Sequence, residues 1–144
     1  MKKPARSRTE LCPITFALDV FGDKWSLLIL RDIVFKGKKY YGDFLNSPEK
    51  ISTNILASRL QKLDSEGLIS KAIDPSNSSR NIYRLAERGE ALLPVLLEII
   101  EWSSTYNPQS KSTDSIIDGA PANLLRRSKK DRAGLIQEIL ERIK

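Results

Sequence analysis

From Ser52 to Glu66 the sequence STNILASRLQKLDSE places two kinds of side chain at helical spacing. At about 100° per residue, Leu56, Leu60 and Leu63 converge on one narrow arc suited to a core. Asn54, Ser58 and Gln61 point directly away, with Ala57 and Lys62 on the flanks and Ser52 and Thr53 at the start of the helix. Asn and Gln can engage adenine through two hydrogen bonds at once, and Ser and Thr can donate or accept at any base edge. Small Ala57 lets such a helix approach closely. Ile55 lies outside the core arc and could meet a thymine methyl or pack beneath a neighbouring element. Arg59 falls on the shoulder of the apolar arc, which leaves an internal ion pair and a phosphate contact both open. The chemistry on offer is recognition by hydrogen bonding.

Bond-making chemistry has little support. The chain has no histidine and one cysteine, so Ser-His-Asp and Cys-His nucleophiles and the usual zinc and iron ligand sets are missing. No Gly-rich phosphate loop is present. An enzyme is therefore not expected, nor a metal or other cofactor. The 144 residues suffice for one domain, and their net charge of +6 favours a polyanionic partner. No run approaches the roughly 18 apolar residues of a membrane span. The start, MKKPARSRTELCP, lacks the apolar stretch of a secretory signal. With a single cysteine, these features fit a cytoplasmic protein without membrane contact.

The elements around this helix decide whether its polar face is more than a wet surface. CPITFALDVFG predicts a helix capped at Cys12, with Pro13 in its first position and Gly22 at its end. DKWSLLILRDIVFKG, from Asp23 to Gly37, is apolar nearly all round and predicts the central buried helix. YYGDFLNS gives a short helix around Asp43 to Asn46, and SPEK a polar turn broken by Pro48. Ser52 then caps the polar-faced helix, which stops at Gly67. Two short helices across a tight turn outline a helix-turn-helix.

The period next changes to that of strands. LISKAID (Leu68–Asp74) and NIYRL (Asn81–Leu85) alternate, and PSNSSR between them predicts a long, flexible, polar tip. Helix, turn, helix and hairpin follow the winged-helix order. Lys38, Lys39 and Lys50 flank the polar-faced helix where backbone phosphates would lie. Arg80 and Asn81 near the hairpin tip, with Lys71 on the outgoing strand, could enter a minor groove or clasp a phosphate. Glu87 to Tyr106 predicts one long helix with two apolar stripes: Leu92, Val95, Leu96, Ile99 and Trp102 form one, and Leu93, Leu97 and Ile100 the other. Pro94 bends it or marks a late start. One stripe suits the domain's own core and the other a second subunit. Residues 1–10 form a basic arm, 11–106 the DNA-binding and dimerisation domain, 107–121 a linker and 122–144 a C-terminal helical extension.

In order and spacing, CPI, GDKWSLLILRDI, YYGDFL, IS…L…RL..L…GLI and YRLAERGEALLPVLLEIIEW resemble the HxlR-type winged helix-turn-helix regulators, a MarR-like group. The resemblance covers residues 11–106. It implies a mainly α fold with a small β-hairpin and a prokaryotic homodimer that binds double-stranded DNA at a palindromic operator, more often as a repressor. It further implies dimer contacts through the first and last long helices, here Phe16, Leu92, Leu96, Ile99, Trp102 and Tyr106. Some relatives sense oxidants or electrophiles through a cysteine matching Cys12. At a helix N-terminus beside Arg6 and Arg8, that thiol would favour its thiolate, although a small buried hydrophobe at the dimer contact is the other reading. The sequence departs from the family at Ala86, where a capping Thr is usual, and in its length beyond Tyr106. An alternative function is a protein-interaction module that uses the C-terminal extension to dock a partner.

Overall fold

A computed structural model describes residues 11–107, 117 and 119–144. The expected basic arm, including Arg6 and Arg8, and linker residues 108–116 and 118 lie outside the described residues. Helix α1 (Pro13–Phe21) begins after Cys12, and α2 (Lys24–Lys36) begins after Asp23. The Asp23 carboxylate accepts hydrogen bonds from the Ser26 N–H at 3.0 Å and the Ser26 hydroxyl at 2.6 Å, so the cap closes the first turn. Ile29, Leu30, Ile33, Val34 and Phe35 are all buried, which makes α2 the central helix.

Helix α3 (Tyr41–Leu45) and α4 (Thr53–Ser65) complete the helix-turn-helix. Ser52 caps α4, its hydroxyl accepting from the Ile55 N–H at 3.3 Å. At the other end Gly67 adopts φ +76, which only glycine enters at little cost. Its N–H bonds the Asp64 carbonyl at 3.0 Å and the Leu68 N–H bonds that of Leu63 at 2.9 Å. This pair satisfies the last helical carbonyls and turns the chain into the hairpin.

The hairpin is tighter than its composition suggested. Strands β1 (Ile69–Asp74) and β2 (Asn77–Leu85) are antiparallel, with Ile69 opposite Leu85 and a register irregularity between Ile73 and Asp74. The tip is the two residues Pro75 and Ser76 rather than a six-residue polar loop. Asp74, only 3% exposed, organises it by accepting from the Ser76 N–H at 2.9 Å, the Ser76 hydroxyl at 2.8 Å and Arg80 Nε at 2.7 Å. Local carboxylate bonds, which leave no periodic trace, order a run that reads as flexible.

The expected long helix is two helices, α5 (Glu87–Glu90) and α6 (Leu93–Tyr106), with Pro94 in the first turn of α6. Proline has no N–H and its ring would press on the carbonyl four residues back, so the helix restarts there. Ala86 precedes α5 without a side-chain cap. Two further helices, α7 (Leu124–Lys130) and α8 (Arg132–Ile143), break at Asp131, whose carboxylate accepts from the Gly134 N–H at 3.1 Å. Leu124, Leu135 and Ile139 are at most 1% exposed and join the core made by α2, α4 and α6. The C-terminal extension is thus built into the domain's core. The fold is a winged helix-turn-helix, mainly α with one two-stranded hairpin.

Candidate nucleic-acid interface

The two faces of α4 separate as the spacing predicts. Leu56, Leu60 and Leu63 are at most 2% exposed, whereas Ser52, Thr53, Asn54, Ala57, Ser58 and Gln61 are exposed and Lys62 is half-buried. Ile55 packs against the core. The wing returns beside this face. A cleft of about 370 Å³ is lined by Tyr41 of α3, Ala57 and Gln61 of α4, and Lys71 and Tyr83 of the hairpin. Residues from three separate segments therefore share one concave, solvent-open surface. The Tyr41 hydroxyl donates to the Thr53 carbonyl at 3.1 Å, tying α3 to the start of α4. The Tyr83 N–H donates to the Lys39 carbonyl at 2.7 Å, and the Phe44 and Tyr83 rings meet edge-on at 6.2 Å. These contacts set the wing's angle to α4.

Arg59 belongs to the scaffold. Its Nε donates to Asp23 at 2.9 Å, so one carboxylate both caps α2 and holds α4. Partial burial would raise the pKa of Asp23, but hydrogen bonds from Ser26 and Arg59 outweigh it and hold it at about 2. A second anchor was not anticipated. Asp32, buried on the mostly apolar α2, accepts from Arg31, from Lys38 Nζ at 3.2 Å and from the Ser47 hydroxyl. Arg31 also forms a two-pronged pair with Glu49 at 2.7 and 2.8 Å, which lowers the Glu49 pKa to about 2. Together these bonds pin the turn between α3 and α4 to α2. An aspartate inside an apolar helix was the available signal, since a buried carboxylate needs donors.

Several expected contacts change role. Lys38 is only 17% exposed at its side chain and is engaged by Asp32 and Ser47 within the domain. Arg80 lies on β2 behind the tip, paired with Asp74 and with its guanidinium 3.8 Å from the Tyr40 ring centre, where it braces the wing. Asn81 is half-buried and sits opposite Ile73. Lys50 and Lys71 are exposed and Lys39 is half-buried. Lys50 adopts φ +58 in the turn before α4, which aims that segment at the cap Ser52.

Residues 20–111 match the HxlR-like helix-turn-helix family. The chain belongs to that family. A helix-turn-helix transcriptional regulator of Synechocystis sp., itself uncharacterized, is 32% identical over 120 residues, covering 83% of this chain and 88% of its own. Among solved structures, the redox regulator HypR in its oxidized form is 28% identical with a TM-score of 0.59, over 67% of this chain and 98% of HypR. The reduced transcriptional regulator YodB of B. subtilis is 25% identical with a TM-score of 0.55, over 68% of this chain and 96% of YodB. Membership makes this chain a helix-turn-helix transcriptional regulator and not an enzyme. No helix among the described residues is long and apolar enough to cross a membrane.

Away from α4, this HxlR-like protein presents a different surface. Leu11, Ile14 and Leu18, on and just before α1, are 58–71% exposed; on α6, Ile99, Trp102 and Tyr106 are 43–69% exposed and Val95 reaches 36%. Of the other expected contact residues, Leu96 is buried in its own core, and Phe16 and Leu92 are half-buried against it. The α1 residues were overlooked, although apolar Ile14 and Leu18 stand four apart. Cys12 is exposed on the single chain. The Thr15 backbone N–H, then the Thr15 hydroxyl and the Ile14 N–H, favour its thiolate and lower its pKa.

Proposed function

We propose that the protein is a cytoplasmic homodimeric repressor that reads a palindromic operator with one α4 in the major groove of each half-site. The observation that carries this reading is the exposed polar face of α4, backed by three buried leucines and continued by the wing across a shared cleft. Ser52, Thr53, Asn54, Ala57, Ser58, Gln61 and Lys62 form the reading surface. Lys39, Lys50 and Lys71 supply phosphate contacts, and the hairpin tip, ordered by Asp74 and Arg80, lies towards the adjacent minor groove. The exposed apolar residues of α1 and α6 form the contact between two copies. Two-fold symmetry then sets half-site centres about one helical turn, or ~34 Å, apart. A dimer seated across a promoter excludes other proteins, which favours repression.

HypR is a redox regulator, and Cys12 is the residue through which we extend that property to this chain. Its thiolate can add to an electrophilic carbon. Alternatively, two copies of Cys12 can join as a disulfide, passing two electrons to an oxidant such as a peroxide. The alternative role as a partner-docking module loses its main support. No large hydrophobic residue of α7 or α8 is exposed, Leu124, Leu135 and Ile139 are buried in the core, and Ile136 and Leu140 pack against it.

Selection of genomic fragments by the full chain tests the reading. Enrichment of an inverted repeat, with binding that weakens steeply as salt rises, is expected; no enrichment over random DNA would overturn it. Repression should appear as lower reporter output, and Cys12→Ser should abolish any diamide response without changing DNA affinity in reducing buffer.

A further inference from the structure

The family match ends at residue 111, yet the segment beyond it touches three functional parts of the molecule. Gly119, at φ +85, lies against the end of α2, where a Cβ would run into the Phe35 carbonyl oxygen. Arg142 of α8 donates to the Gly119 carbonyl at 2.8 Å, so the segment closes on itself at that point. Arg132 reaches α6, pairing with Glu98 at 2.6 Å and with Glu101. Ile143 and Lys144 wall a small cleft with Lys39, Tyr83, Arg84 and Leu85 at the base of the wing. Leu124, Leu135 and Ile139 anchor the whole unit in the core.

What this unit restrains is equally clear. Helix α5 ends at Glu90 and α6 begins at Leu93, and Pro94, lacking an N–H, donates no bond back across this break, so the hold on the direction of α6 is weakened there. Glu98 and Glu101, one and two turns into α6, are where a clasp has leverage over that direction.

We infer that residues 119–144 are a brace acting within the protomer, fixing α6 against the winged helix, with Arg132 and Gly119 as its positioning residues. Resting on the proposed reading of α6 as the subunit contact, the brace sets the distance between the two α4 helices, and so the operator spacing the dimer accepts. Its chemistry is a salt-bridge clasp at one end, a glycine-only backbone contact at the other and a buried apolar seam between them.

Two full-length variants test it, Arg132→Ala and Gly119→Val. Amide hydrogen exchange on the protein alone should quicken at least about tenfold in α6 and at residues 83–85, with the buried part of α4 unchanged. Unchanged protection in both regions would overturn the brace. Should Gly119→Val unfold the chain, Arg132→Ala carries the comparison. The second readout is selection from duplexes holding the two half-sites at varied spacing. Wild type should accept one spacing, and Arg132→Ala several, with the same half-site sequence. Faster exchange with an unaltered spacing preference would overturn the link to operator spacing. Wild-type protein that selects no DNA would refute the proposed function, while the exchange result would still decide whether the brace exists.

Discussion

Helices α4 and α6 are near twins in length, 13 and 14 residues, and each buries one leucine-rich stripe. Leu56, Leu60 and Leu63 do this for α4; Leu93, Leu96 and Leu97 do it for α6. Their outward faces differ completely. Helix α4 shows Asn54, Ser58 and Gln61 to solvent, whereas α6 shows Val95, Ile99, Trp102 and Tyr106. The buried stripe holds a helix in place, but the opposite face decides what kind of partner it can meet. Hydrogen-bonding groups suit base edges, and an apolar stripe suits another apolar surface.

The comparison predicts equal sensitivity inside and opposite sensitivity outside. Leu56→Ala and Leu97→Ala should each destabilise the fold by about 3 kcal/mol in urea denaturation, because both leave cavities in a tight core. A markedly smaller loss for Leu97 would show that α6 is held less firmly than α4. Trp102→Glu should weaken self-association by about 2–4 kcal/mol in sedimentation, as for a central aromatic anchor, while monomer stability changes little. Dimers as tight as wild type would remove α6 from the subunit contact. Asn54→Ala or Gln61→Ala should cost about 1–3 kcal/mol of discrimination at a single base pair and leave self-association intact. Lys50→Gly is the mildest change. Glycine accepts φ +58, so stability should hold or rise by about 0.5 kcal/mol while all DNA sequences bind more weakly by a similar factor.

The carboxylate anchors around α4 and at the hairpin tip respond to acid. Asp23, Glu49 and Asp74 each have a folded-state pKa of about 2, below the ordinary carboxylate range. Their stabilisation is therefore complete above the unfolded-state value near 4 and is lost as pH falls through about 2. Thermal unfolding followed from pH 5 to 2 should show a falling midpoint. Glu49→Gln should flatten part of that fall; an unchanged slope would mean that the Arg31 pair adds nothing to the turn.

Much of this was legible because the signal was local. Caps at Cys12, Asp23 and Ser52, glycines at the ends of α2 and α4, and leucine spacing in α4 all act within a turn or two of chain. Pro94 announced a break for the same reason. The internal partners of Lys38 and Arg80 were not legible because they are set by folding. A lysine looks free until Asp32 and Ser47 converge on it, and Arg80 looks exposed until Asp74 and Tyr40 arrive.

By itself, the sequence determined the order of elements, the polarity of α4 and the family, since periodicity and capping are properties of neighbouring residues. Tertiary structure alone decided which stripe of α6 stays outside, which cations remain for a phosphate, and that residues 119–144 fold back on their own protomer. Those outcomes depend on contacts between residues far apart in the chain. An apolar stripe or a charge states only that it needs a partner, and packing chooses which one.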